Sequence, residues 1–142
     1  MEIKIKYHDP ELERISSLAV GDWIDLRAAE TVELHPGEYR QISLGVSMKL
    51  PEGYEAHVAP RSSSFQKWGF LQVNSVGVVD NSYSGTNDIW KLPVYATREA
   101  VIRKNDRICQ FRVLRRMEPV TFLETDELDA ADRGGFGSTG SR

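Results

Sequence analysis

Asp80 closes the apolar run Val76-Gly77-Val78-Val79 and stands three residues before Tyr83. A carboxylate in such a place can orient a water or take a proton from it, beside an aromatic ring. In Ala59-Pro60-Arg61-Ser62-Ser63-Ser64, Pro60 stiffens the approach. Arg61 and the serines there offer a planar charged fork and hydroxyls, donors suited to phosphate oxygens. Two further polar stretches are Gly21-Asp22-Trp23-Ile24-Asp25-Leu26-Arg27-Ala28 and Asn105-Asp106-Arg107-Ile108-Cys109-Gln110. The terminal run Asp132-Arg133-Gly134-Gly135-Phe136-Gly137-Ser138-Thr139-Gly140-Ser141-Arg142 cannot build a core. Its glycines free backbone N–H groups for an anion-binding nest, Ser138 and Thr139 add hydroxyls, Arg133 a fork, and Phe136 a face for stacking. That chemistry suits a polyphosphate with a flat group attached.

Each stretch also has a plainer reading. The tail is Gly/Ser-rich and fits a disordered terminus. Arg61 with the serines fits a helix N-cap, Asp80 a turn former, residues 105–110 a hairpin turn with a buried Gln, and residues 21–28 a surface turn entering a strand.

The 142 residues make one domain, large enough to bury a core. A net charge of −3 supplies no overall basic field for nucleic acid, so an anionic ligand must be met locally by arginines and a metal. One cysteine, Cys109, excludes an intrachain disulfide and fits a reducing compartment. No segment has a signal core or membrane-spanning length, so a soluble, cytoplasmic chain is expected. His8, His35 and His57 lack ligand spacing. Trp68 and Trp90 read as packing residues, and Arg112, Arg115 and Arg116 as a solvated face or subunit contact.

The elements that must hold these groups read as strands. Ile3, Ile5 and Tyr7 alternate with charges, and Ile42, Leu44, Val46, Met48 and Leu50 predict one half-buried strand within 38–50. Pro51-Glu52-Gly53 is a turn, after which Tyr54, Ala56 and Val58 restart the alternation. Residues 70–73 and 76–79, split by Asn74-Ser75, predict a hairpin. Pro93 predicts an edge strand or bulge over 89–95. Lys104-Asn105-Asp106 is a turn, Cys109, Phe111 and Val113 alternate, and 120–123 is a last short strand. The one helical candidate is Ser62 to Trp68, and the acidic residues 125–131 read as a connector. Many short strands at regular spacing point to an all-β barrel or jelly roll.

In this order and at these distances the five polar stretches resemble the five ordered motifs of the trimeric, all-β dUTPase family. The match spans residues 21 to 140. Its strongest pieces are Gly77-Val78-Val79-Asp80 with Tyr83 and Gly85, and Arg133-Gly134-Gly135-Phe136-Gly137-Ser138-Thr139-Gly140. The wording is similar to dUTPases of Gram-positive bacteria and their phages. The resemblance implies a distorted jelly-roll or β-clip fold with at most one short helix. It divides the chain into a β-barrel domain over 1–124 and a mobile arm over 125–142 that closes over an active site.

The implied reaction is hydrolysis of dUTP to dUMP and pyrophosphate by water attack on the α-phosphorus, limiting uracil in DNA and supplying dUMP for dTMP synthesis. Asp80 matches the catalytic aspartate. Asn74, Gly77 and Val79 belong to the hairpin that receives uracil, and Tyr83 packs under the deoxyribose. Arg61, Ser62, Ser63 and Gln110 fall on the phosphate side. Arg133, Gly137, Ser138 and Thr139 close on the outer phosphates while Phe136 stacks on uracil. Asp25 would contact Mg2+ through water. A homotrimer with active sites shared between subunits is implied. The sequence departs from the family at Trp23-Ile24, Ser63, Thr86 and Asn105. Two other readings share the fold. One is a nucleotide-binding regulator. The other is a dCTP deaminase, for which Thr86-Asn87-Asp88-Ile89-Trp90 lacks the required glutamate.

Overall fold

The computed structural model describes residues 1–16, 21–137 and 140. Along them run β1 (Lys4–Tyr7), β2 (Ile24–Arg27), β3 (Val32–Leu34), β4 (Tyr39–Ser43), β5 (Val46–Lys49) and β6 (Tyr54–Pro60). A five-residue helix, α1 (Ser64–Trp68), follows. The remaining strands are β7 (Phe70–Gln72), β8 (Gly77–Val79), β9 (Lys91–Ala96), β10 (Ala100–Ile102) and β11 (Arg107–Arg115). Every pairing is antiparallel. A four-stranded sheet runs β2-β11-β6-β8, a three-stranded one β4-β9-β7, and β1-β5 and β10-β3 form pairs. The sheets close on one apolar core that includes Leu26, Leu34, Ile42, Leu44, Phe70, Leu92, Ile108 and Phe111. This is the all-β jelly-roll architecture expected, with a single short helix among the described residues.

The expected strand within 38–50 is two strands. Ile42, Leu44, Val46, Met48 and Leu50 are all buried, so the alternation is right. Gly45 breaks it: its φ is +67°, and a Cβ there would sit 2.7 Å from the Ala29 Cβ. The chain turns a corner at a spot where only glycine fits.

The expected hairpin over 70–79 is a crossover between sheets. β7 pairs with β9, whereas β8 pairs with β6. Ser75, at φ 51°, makes the left-handed turn. Gly77 lets β8 press onto β6, since a Cβ there would lie 3.1 Å from the Val58 Cβ.

Pro93 lies in β9, the middle strand of its sheet, not at an edge. Its carbonyl accepts from Val73 N at 3.1 Å, one residue beyond the end of β7. The missing N–H therefore points past the end of the β7 ladder, where no strand residue needs it.

Residues 120–123 form no strand, and Phe122 is 92% exposed. Among the described residues no strand pairs with this segment, and the apolar alternation alone does not suffice. From residue 116 to 137 the described chain carries no helix or strand.

Candidate active site

β8 ends at Val79, and the chain then turns through Asp80 to Tyr83. Ser82 makes that turn. Its backbone N–H and its hydroxyl both donate to Asp80 Oδ1, at 2.9 and 2.7 Å, and Tyr83 N donates to the Asp80 carbonyl at 3.0 Å. The two bonds from Ser82, the backbone one first, hold the Asp80 carboxyl below its ordinary value. Tyr83 is anchored through its hydroxyl, which donates to the Ile89 carbonyl at 2.9 Å. Gly85 N donates to Asp88 Oδ2 at 2.8 Å, so Asp88 serves as a turn cap. A cleft of about 540 Å3 opens here, with Asn74, Val78, Val79, Asp80 and Tyr83 on its walls and Leu44, Val58 and Trp90 among its lining.

A second constellation sits at the junction of β2, β11 and β6. Asp25 stands beside Gln110, which stands beside Ala59. Arg61 Nε meets Asp25 Oδ1 at 3.1 Å, and Arg107 Nη1 meets Asp25 Oδ2 at 3.3 Å. Arg61 Nη1 also donates to the Arg107 carbonyl at 3.3 Å, and Gln110 Nε2 to the Pro60 carbonyl at 3.1 Å. Ser62 is exposed and Ser63 half-buried. Ser63 is the N-cap of α1, but its side chain makes no capping bond. The buried Ser64 secures the loop: its hydroxyl donates to the Ile108 carbonyl at 3.0 Å and accepts from Arg61 N at 3.1 Å. A cleft of about 300 Å3 opens beside Asp25 and Arg107. Asn105 turns the chain into β11 at φ 74°, the left-handed conformation asparagine tolerates.

The two constellations do not meet within one chain. β2 and β8 are separated by β11 and β6, and Asp80 lies about four residues along from the level of Asp25. At ~4.8 Å per strand and ~3.3 Å per residue the backbones at Asp25 and Asp80 are roughly 20 Å apart along the sheet. Arg133, Phe136 and Gly137 are exposed and line neither cleft. Ser138 and Thr139 lie outside the described residues.

Three contributors were not singled out from sequence: Ser64, Arg107 and Ser82. Ser82 had a signal, since the position two residues after an aspartate is where its carboxylate takes a backbone N–H. Nothing in Ser62-Ser63-Ser64 shows which hydroxyl turns inward, and Arg107 reads as an ordinary charge at a strand start.

A protein-family model described as dUTPase matches residues 13–140. The SPbeta prophage-derived deoxyuridine 5'-triphosphate nucleotidohydrolase of Bacillus subtilis (strain 168) is 54% identical over 142 residues, covering 100% of both chains. The deoxyuridine 5'-triphosphate nucleotidohydrolase of Thermobifida fusca (strain YX) is 37% identical, over 99% of this chain and 79% of its own length. Among solved structures, the Staphylococcus bacteriophage 80alpha dUTPase shares the fold at a TM-score of 0.76, with 19% identity and 98% of each chain covered. The Streptococcus mutans dUTPase does so at 0.72, with 22% identity, over 85% of this chain and 100% of its own. With the motifs, the fold and these matches in agreement, the chain belongs to the dUTPase family.

Proposed function

We propose that this chain hydrolyses dUTP to dUMP and pyrophosphate at sites each built from more than one subunit. The carrying observation is the pair of half-sites: an anchored carboxylate in a nucleoside-sized cleft at the end of β8, and an arginine-lined carboxylate on β2, with two strands between them and by strand spacing roughly 20 Å along the sheet. A triphosphate is far shorter than that gap. One bound dUTP can reach both sets only if a second copy brings its Asp25 end to this copy's Asp80 end. Such a head-to-tail contact is heterologous and closes as a ring, in keeping with a homotrimer.

In this reading Asp80 holds the attacking water through its free oxygen and lines it up on the α-phosphorus. Its depressed pKa makes it a poor base, so orientation is its main contribution. Tyr83 packs under the deoxyribose and fills the space a 2′-hydroxyl would need. Asn74 and the backbone from Gly77 to Val79 meet the uracil edge, and buried polar groups mismatched to cytosine supply the discrimination. Arg61, Ser62, Ser63 and Gln110 of the neighbouring subunit hold the phosphates.

Among the described residues no group of three His, Cys, Asp or Glu could hold a metal alone. Mg2+ takes phosphate oxygens and keeps several waters, so the single carboxylate of Asp25 fits a water-mediated contact. Bound there, Mg2+ would neutralise charge on the phosphates. The phage phi11 dUTPase of S. aureus, similar in fold, coordinates a structural Mg(II) ion. Asp25 would then exchange part of its pairing with Arg61 and Arg107, freeing those guanidinium groups for phosphate.

Residues 125–142 act as the arm. Arg133, Gly137, Ser138 and Thr139 close on the outer phosphates and Phe136 on the base. The φ values of +94° at Gly134 and +80° at Gly137 suit a chain that bends sharply around a ligand. No helix among the described residues is long and apolar enough to cross a membrane, and a nucleotide-pool enzyme would work in the cytoplasm.

Pyrophosphate release from dUTP, dCTP, dTTP and UTP with Mg2+ tests the reading. Turnover confined to dUTP supports it, and ammonia release from dCTP would replace it with deamination. Deleting residues 133–142 lowers kcat/KM for dUTP without lowering Tm. Unchanged kinetics would remove the arm from the site.

A further inference from the structure

The β1–β5 ribbon carries a row of lysines with no counter-charge beside them. Lys4 stands directly opposite Lys49 in the antiparallel register, and Lys6 lies two residues along on the same face. All three are exposed. Like charges directly opposite one another destabilise a strand pair. Among the described residues the only lysine paired with carboxylates is Lys104, with Asp9 and Glu11. Lys4, Lys6 and Lys49 instead line a shallow cleft of about 250 Å3 with Ser84, Gly85 and Thr86, and no carboxylate lines it. This cleft adjoins the one that holds Asp80. Tyr83 lines the Asp80 cleft, and Ser84, the next residue, lines the lysine cleft.

The complementary charge is in the arm. Residues 117–132 hold six carboxylates, from Glu118 to Asp132, and no lysine or arginine. The rest of the chain holds eighteen Lys and Arg against fifteen Asp and Glu. Residues 117–132 are all exposed, and none forms an ion pair among the described residues. Phe122 and Leu123 are 92% and 89% exposed, so the segment does not pack on its own body.

We infer that the lysine row is the docking surface for the acidic connector of a second copy of this chain. It seats residues 124–132 beside the cleft and delivers the glycine run to it. This rests on the reading of residues 125–142 as the arm of a site shared between copies. Asp132 is four residues from Phe136, at most ~14 Å of chain, so a connector seated on the lysines leaves Phe136 able to reach the cleft that Tyr83 lines. A docked connector raises the local concentration of the glycine run at the cleft, and only that run has to order when dUTP binds. Each exposed ion pair contributes little alone, and the three lysines act as a group.

The experiment treats the full chain with a zero-length carbodiimide, which joins an ammonium to a carboxylate in direct contact. The oligomers are co-refolded from unlabelled and 15N-labelled chains. Mass spectrometry of the digest is expected to find Lys4, Lys6 or Lys49 joined to a carboxylate within residues 124–132 in mixed-isotope peptides. Links confined to single-isotope peptides would overturn the assignment to a second copy. No link between these lysines and the connector, in protein that turns over dUTP, would overturn the inference and leave the shared site standing. Links as expected in protein that releases no pyrophosphate from dUTP would support the docking surface and overturn the functional reading. Lys4→Glu, Lys6→Glu and Lys49→Glu together raise KM for dUTP about 3–30-fold at low salt, the combined worth of a few exposed ion pairs. Adding Glu124→Lys, Asp126→Lys and Glu127→Lys restores most of that loss. A loss that the reversed connector does not repair would mean that the lysines act on dUTP directly, and would overturn the inference. If the reversed triple folds poorly, Lys4→Gln with Lys49→Gln gives a smaller rise in KM, and the cross-linking requires no variant.

Discussion

Among the described residues, only one oxygen of the Asp80 carboxylate is committed inside the chain. Oδ1 takes both bonds from Ser82, which leaves Oδ2 for a ligand. The same two bonds lower its pKa, so the ionised form persists as pH falls below the ordinary carboxylate range and is lost only when pH drops through the depressed value. No loss of activity assignable to Asp80 is therefore expected between pH 5 and 8, and an NMR titration of its carboxyl carbon should have its midpoint below ~3.9. Ser82→Ala removes the hydroxyl donor and moves that midpoint up. A midpoint unmoved by Ser82→Ala would show that the turn does not set the charge. Asp80→Asn keeps the turn's shape and removes the charge that aligns the water, with turnover falling by about 10²–10⁴-fold. At the opposite extreme, Cys109 is a packed small hydrophobe: burial pushes its thiol well up, and no role in the chemistry is assigned to it.

Short elements hold these groups through a few buried bonds, and this is where sequence and structure part company. The alternation at residues 42 to 50 was legible because each position is decided by burial, but the corner at Gly45 depends on how closely Ala29 and Leu12 approach, which lies outside that segment. The Asn74-Ser75 turn was legible as a turn. Its destination was not, because the partners of β7 and β8 are set by β9 and β6 at the other side of the core. Pro93 misled for the same reason, since the vacancy it creates falls just past a strand end that the sequence does not mark. Motif order singled out Asp80, Tyr83 and the Arg61 loop, whereas nothing in the sequence marked Ser64, whose contact partner Ile108 lies across the fold. Ser64→Ala strands the Arg61 N–H and the Ile108 carbonyl together. It should lower stability by about 1–3 kcal/mol in a denaturant titration and raise KM for dUTP, through a looser Arg61 loop. An unchanged KM in a measurably destabilised variant would separate that serine from the phosphate site.

At the scale of the whole molecule, the Asp80 cleft and the Asp25–Arg61–Arg107 cluster stay apart among the described residues of one chain, which is what the proposed sharing between copies rests on. Closing an arm of glycines costs ~1–2 kcal/mol of backbone entropy per residue, while stacking one aromatic on a base returns only ~1–3 kcal/mol in all. On the proposed role of the arm, charge-assisted bonds to a full triphosphate make up the difference, so closure would belong to substrate and reopening to dUMP. The most direct test of a site shared between copies is subunit mixing. Asp80→Asn lacks the water-holding half, Arg61→Ala lacks the phosphate half, and each alone is nearly inactive. Co-refolded at equal ratio, with mixed trimers verified by native mass spectrometry, they should recover about a quarter of wild-type turnover, since one junction in four then joins two intact halves in a head-to-tail ring. Activity no greater than the sum of the two parents would contradict the account, because it would mean that Asp80 and Arg61 of the same chain serve one substrate.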